Sequence, residues 1–152
     1  MSVITTYRLD VEGITMKLSE QSMNAVFEKM LFPEEKSLCG VYCGFPQTGF
    51  FARPGNMLMG YVTCTSFGRL LIARYFLKEC ATGTLGLVSV KKLTIKKNIF
   101  GQQIIEAIFP VDNKELKLKL QISPKVYGAY FPNQEQNLAT MLTILQRYET
   151  SH

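Results

Sequence analysis

Histidine is almost absent from the chain, and long apolar runs are missing. The only histidine among the 152 residues is His152, the last one. Nucleophilic catalysis by serine or cysteine ordinarily uses a histidine as its base, so this chemistry has little support. A terminal histidine is also badly placed to complete a cysteine–histidine metal site. No apolar run reaches the length of about 18 residues that a transmembrane helix requires.

The usual signatures of nucleotide- and metal-dependent enzymes are missing as well. The sequence has no GxxxxGK[ST], GxGxxG or HExxH pattern. Acidic residues pair at Glu34-Glu35 and at Asp10 with Glu12, next to expected turns or helix ends, where solvated acids are common. We therefore expect a protein without enzymatic activity, catalytic residues or cofactors.

The four cysteines do not form CxxC pairs. Cys39 and Cys43 lie four residues apart in a stretch that reads as a strand, where both would share a face with Val41 and Phe45. Free cysteine behaves as a small buried hydrophobe, so we expect these residues to pack in the core and to bind no metal.

Composition and length indicate one globular domain over 1–152. Hydrophobic residues make up 47% and charged residues 19% of the chain, which is too apolar for a disordered protein. The first residues have no basic start and no apolar core, so they do not resemble a signal peptide, and we expect a cytoplasmic protein. The net charge of +5 suits an anionic partner but is also common as a solubility feature.

Two amphipathic helices stand out. Residues 20–31 carry apolar side chains at helical spacing, with Ser19 as a fitting N-cap. A second helix begins after Pro132, with Asn133 as N-cap and Gln136 as its capping-box partner. Its expected buried stripe consists of Leu138, Met141, Leu142, Leu145 and Tyr148.

Outside these helices the pattern alternates with a period of two, which predicts strands. Short strands are expected at 3–9 and 14–18, a strand at 37–45, and a hairpin of 57–65 with 69–77. Residues 46–56 and 78–84 read as connections, and 85–97 as one strand with a β-bulge at Lys91-Lys92. Further strands contain Ile105, Ala107 and Phe109, and then 115–122, whose Leu116, Leu118, Leu120 and Ile122 are expected to face inward.

The segment 59–74, MGYVTCTSFGRLLIAR, resembles the strand–turn–strand signature of bacterial PH-like and GRAM-like domains, and 87–95 is similar to their next strand. The resemblance covers about 37–149, and the helix at 20–31 belongs to an N-terminal extension. The resemblance implies an α+β fold: a PH-like curled antiparallel sheet or partly open barrel capped by a C-terminal helix. It also implies a binding function, and some members of the group form oligomers.

Two groups of residues are candidates for binding. The loop 46–56 joins Phe50 and Phe51 to Arg53, which suits a membrane interface or a partner pocket. The alternative, which we favour, is that the two rings fold back over the mouth of the barrel. Some PH domains bind phosphoinositides through several basic residues in the matching loop, and Arg53 alone does not meet that pattern. The second group could form a basic outer face: Lys91, Lys92, Lys96, Lys97, Lys117 and Lys119.

Three functions follow from these features. The first is a non-enzymatic cytoplasmic module for protein binding or self-assembly, as a homo-oligomer or with another protein. The second is peripheral binding to anionic lipid through the lysines and the aromatic loop. The third is a small-molecule site between sheet and helix. Nucleic acid is the weakest partner, because no aromatic side chains interleave the lysines as base stacking would require.

Overall fold

The computed structural model describes residues 4–8, 18–46, 57–76 and 79–150. Within these ranges the chain forms eight strands and two α-helices. The strands are β1 (Ile4–Arg8), β2 (Val41–Pro46), β3 (Met57–Cys64), β4 (Arg69–Phe76), β5 (Glu79–Gly86), β6 (Lys92–Lys97), β7 (Gln103–Val111) and β8 (Lys114–Ile122). The helices are α1 (Glu20–Met30) and α2 (Gln134–Gln146).

The strands form one antiparallel sheet in the order β1-β5-β4-β3-β2-β8-β7-β6. Ile72 of β4 and Leu85 of β5 belong to the same buried cluster as Phe109 of β7 and Leu120 of β8. These strands lie far apart in the sheet order, so the sheet must curl to bring their side chains together. Its concave face encloses the main core, as the alternating pattern predicted.

Helix α2 closes this core. Leu138, Met141 and Leu145 are buried in it, and Leu142 and Tyr148 pack against it. The predicted stripe of the last helix is therefore confirmed. The four cysteines are free and buried, and Cys39 and Cys43 lie in this cluster with Val41 and Phe45, as expected for strand neighbours of equal parity.

Helix α1 packs on the opposite, convex face of the sheet. Met23, Val26 and Phe27 form a second buried cluster with residues that include Tyr61 of β3 and Leu71 of β4. The predicted start of the helix is also confirmed, because the Ser19 hydroxyl accepts a hydrogen bond from the Ser22 backbone N–H at 3.1 Å. The central strands are thus covered on both faces.

The prediction that 78–84 is a connection was wrong, because Glu79–Gly86 forms β5 and pairs with β4 along its whole length. The segment reads ECATGTLG, and the residues that share parity with buried Leu85 are Gly83, Ala81 and the charged Glu79. Small side chains give little hydrophobic alternation, so pairing with β4 defines the strand.

The prediction of one bulged strand over 85–97 was also wrong. Residues Leu87–Ser89 form a 3-10 helix between β5 and β6, which buries Leu87 and leaves Val88 exposed. The change of parity at this point comes from the helical turn, with no β-bulge. The expected orientation of Leu93 and Ile95 toward the core is confirmed.

Other boundaries moved less. Strand β2 begins at Val41 and not at residue 37, although Ser37 makes an isolated bridge to Thr65. Leu120 and Ile122 are buried as predicted, whereas Leu116 is 38% exposed, although its register partner Phe109 lies in the core. Asn133 precedes α2 but makes no capping bond with its side chain, so the capping box is absent.

The strand expected at 14–18 and the loop 47–56 lie outside the described residues, apart from Leu18.

Candidate anion-binding surface

The convex face of β6, β7 and β8 carries most of the lysines that the sequence singled out. Leu93, Ile105 and Leu120 point into the core, so the residues between them point outward. The register places these outward residues in three rows: Lys92, Ile108 and Lys117; Thr94, Glu106 and Lys119; Lys96, Ile104 and Gln121. We call Lys92, Lys96, Lys117 and Lys119 the basic face.

The basic face is accessible and has a clear excess of positive charge. Lys92, Lys96 and Lys117 are exposed and Lys119 is half-buried. One carboxylate, Glu106, stands opposite Lys119 in the middle row. Lys92 and Lys117 are separated by one strand and so lie about 10 Å apart. Phosphate groups contacting this surface would meet several ammonium groups at once.

Two of the six candidate lysines are placed differently. Lys91 precedes β6, and its Nζ lies 2.8 Å from the Glu115 carboxylate. The lysine holds the pKa of the Glu115 carboxyl below its usual value, because it stabilises the charged form. Lys97 is exposed at the last position of β6, where it has the opposite parity to Lys96.

Tight turns hold the three strands in register. Between β7 and β8, Asp112 and Asn113 both adopt positive φ angles, 48° and 66°, which is the combination of a type I′ hairpin turn. Between β6 and β7 the turn contains Ile99 and Phe100, which are 93% and 79% exposed. This apolar pair was not among the predicted binding residues. The sequence pattern that could have indicated the pair is NIFG, in which two apolar residues lie between the turn-forming residues Asn98 and Gly101.

The aromatic loop candidates, Phe50, Phe51 and Arg53, lie outside the described residues. They therefore stay predictions.

The outer edge of β6 is occupied by residues that follow α2. The backbone N–H of Leu93 donates to Thr150 Oγ1 at 2.9 Å, and that of Thr150 donates to the Leu93 carbonyl at 2.8 Å. The N–H of Ile95 donates to Glu149 Oε2 at 3.2 Å. These bonds use the backbone groups through which another strand would add to this edge.

A cleft of about 690 Å³ lies between α1, residues 31–40 and Asn137 of α2. Its described lining includes no residue of the eight strands, so it differs from the site between sheet and helix that the small-molecule hypothesis expects. Glu35 is the buried acid of this cleft. Arg69 Nε donates to Glu35 Oε2 at 2.9 Å, and the Phe32 N–H donates to Oε1 at 2.9 Å. Mainly through the hydrogen bonds from Arg69, the pKa of this carboxyl falls to about 2, so Glu35 is a poor proton donor or acceptor near neutral pH.

The described residues contain no helix with the length and apolar character needed to cross a bilayer.

Comparison with known proteins yields a likeness of fold. No protein-family model matches the chain, and no curated protein matches it. Among solved structures, the chain is similar to the hSac2 domain from the human phosphoinositide phosphatase Sac2, with a TM-score of 0.51 and 13% sequence identity. The match covers 89% of this chain and 88% of that chain. At this identity the likeness concerns the fold alone.

Proposed function

We propose that this protein is a non-enzymatic, PH-like binding domain that attaches peripherally to anionic lipid surfaces from the cytoplasm. The basic face carries the proposal: three exposed lysines and one half-buried lysine project from the same side of three adjacent strands. Lysines close to an anionic leaflet contribute about 1 kcal/mol each. Several weak contacts of this type are enough for reversible attachment.

Two further observations support this assignment over the alternatives. Helix α1 packs against β3 and β4, whereas the basic face is left open to solvent. The structurally similar domain belongs to a phosphoinositide phosphatase, a protein named for a lipid substrate. For self-assembly, the occupied edge of β6 is unfavourable, because it offers few free backbone groups to a second copy.

The proposal is tested with charge-neutralised variants and vesicles. The triple variant Lys92→Gln, Lys96→Gln, Lys117→Gln removes three charges from the basic face. The control Lys29→Gln, Lys36→Gln, Arg147→Gln removes three charges from exposed positions elsewhere. We expect the first variant to bind phosphatidylglycerol-containing vesicles at least tenfold more weakly than the control. Equal affinities for the two variants would contradict the assignment to this face.

A further inference from the structure

The turn between β6 and β7 is built to hold two apolar side chains in solvent. Ile99 is 93% exposed and Phe100 is 79% exposed, and they are adjacent in the chain. We call this pair the apolar tip. A large exposed apolar surface is costly in water, and beside positive charge it is a common feature of membrane-contacting segments.

The tip is held rigidly by side-chain hydrogen bonds from Asn98. Its Oδ1 accepts from the N–H groups of Phe100 at 3.0 Å and Gln102 at 2.9 Å. Its Nδ2 donates to Gln102 Oε1 at 2.9 Å. Gln102 in turn donates to Ser123 Oγ at 2.9 Å, which ties the turn to the segment after β8. Because the turn is already ordered, binding through it would lose little conformational entropy.

The charges next to the tip indicate the chemistry of its partner. Lys96 and Lys97 are exposed and directly precede the turn. An apolar pair preceded by two cations complements an anionic lipid surface, in which acyl chains lie beneath phosphate groups. A protein partner would have to supply an apolar pocket ringed by acids, whereas every anionic leaflet offers both features.

We propose that the domain docks tip-first, with Ile99 and Phe100 inserted at the membrane interface and Lys96 and Lys97 at the level of the phosphates. This inference rests on the proposed function and specifies its orientation. In this orientation Lys92, four residues before Lys96, lies about 13 Å further from the membrane. That separation exceeds the Debye length of about 8 Å at physiological salt, so Lys92 and Lys117 contribute less than Lys96 and Lys97.

Paired lysine variants separate this orientation from docking by the whole basic face. Lys96→Gln with Lys97→Gln and Lys92→Gln with Lys117→Gln remove the same charge. Tip-first docking predicts that the first pair weakens binding to phosphatidylglycerol-containing vesicles about thirtyfold, and the second pair at most a few-fold. Equal losses, or a larger loss for the second pair, would overturn the tip-first orientation and leave the proposed function intact.

Insertion of the tip is measured directly by fluorescence. The chain contains no tryptophan, so Phe100→Trp introduces a single reporter at the tip. Val88→Trp is the matched control, because Val88 is 87% exposed and precedes the opposite end of β6. We expect anionic vesicles to shift the emission of the Phe100→Trp variant to the blue, with no shift for Val88→Trp.

Loss of the apolar side chains gives a second readout. Ile99→Ser with Phe100→Ser should bind at least tenfold more weakly, whereas Val88→Ser should bind as the unmodified chain does. Both variants alter exposed side chains only, so unchanged thermal unfolding verifies that they are folded. Tip insertion would be refuted if the unmodified chain binds anionic vesicles, the Phe100→Trp variant shows no blue shift, and the double serine variant binds as tightly as the unmodified chain. If the unmodified chain does not bind anionic vesicles, the proposed function fails as well.

Discussion

The side-chain amide of Gln134 pairs with the backbone of Tyr42 as a neighbouring strand would. Its Oε1 accepts from the Tyr42 N–H at 2.9 Å, and its Nε2 donates to the Tyr42 carbonyl at 2.8 Å. The same Nε2 donates to the Ser123 carbonyl at 2.9 Å. Strands β2 and β8 pair at only one residue, Gly44 with Gln121, so the first turn of α2 completes the sheet where the two strands separate.

Replacing Gln134 should therefore destabilise the fold strongly. Gln134→Ala leaves three backbone partners of a 2% exposed side chain without their hydrogen bonds. The expected loss in the free energy of unfolding is about 3 kcal/mol, measured by urea denaturation. Gln136→Ala is the control on the exposed side of the same helix and should change stability by less than about 0.5 kcal/mol. A similar effect of both substitutions would argue against the strand-like role of Gln134.

The buried ion pair of Glu35 and Arg69 predicts a stability that depends on acid pH. The pKa of Glu35 is about 2 in the fold and 4.5 as its ordinary value. Its contribution is thus complete above pH 4.5 and is lost as the pH falls from 4.5 toward 2. Glu35→Gln leaves Arg69 without its carboxylate, so we expect a loss of about 3 kcal/mol at pH 7.

Urea denaturation at pH 7 and pH 3 measures both effects. The difference in stability between the unmodified chain and Glu35→Gln should shrink at pH 3, because Glu35 is then largely protonated in the unfolded chain and mostly ionised in the fold. A difference that stays constant between the two pH values would mean that the carboxylate charge is not what stabilises this site.

The bonds from Glu149 and Thr150 predict that residues after α2 protect the edge of β6. A chain ending at Tyr148 would leave the N–H groups of Leu93 and Ile95 without these acceptors. Open strand edges pair with other chains, so we expect concentration-dependent self-association of this shorter chain. Size-exclusion chromatography with light scattering measures it against the full chain. The same molar mass for both chains at all concentrations would contradict the prediction.

Close packing of β3 and β4 predicts that position 60 accepts only glycine. A Cβ atom at Gly60 would overlap the carbonyl oxygen of Ala73, a backbone atom that cannot rotate away. Gly60→Ala should lower the melting temperature by several degrees or prevent folding. Gly86→Ala, whose new Cβ atom would lie 3.7 Å from the Ser89 hydroxyl, should leave the melting temperature nearly unchanged. If Gly60→Ala and Gly86→Ala melted at the same temperature, β3 and β4 would have to separate easily to admit the new side chain.

Features with a strong local pattern were predictable from the sequence. Helix α1 was predictable from the apolar stripe of Met23, Val26 and Phe27. The hairpin predicted at 57–65 and 69–77 is formed by β3 and β4. Strand β5 was missed because Ala81 and Gly83 carry too little apolar surface to alternate visibly.

The candidate site was only partly predictable. The lysines were visible in the sequence, but only the register shows that Lys92 and Lys117 share a row while Lys91 pairs with Glu115. The role of Gln134 depends on contacts between distant segments. A glutamine in the first turn of a helix looks like an ordinary polar residue until its partner Tyr42, 92 positions away, is known.

Binding of the unmodified chain to vesicles of graded charge tests the central claim most directly. Co-sedimentation would compare pure phosphatidylcholine vesicles with vesicles containing phosphatidylglycerol, at low and at high salt. We predict pelleting that requires the anionic lipid and that falls steeply as salt screens the lysines. Absence of pelleting with anionic vesicles at low salt, or pelleting that is equal for neutral and anionic vesicles, would contradict attachment through the basic face.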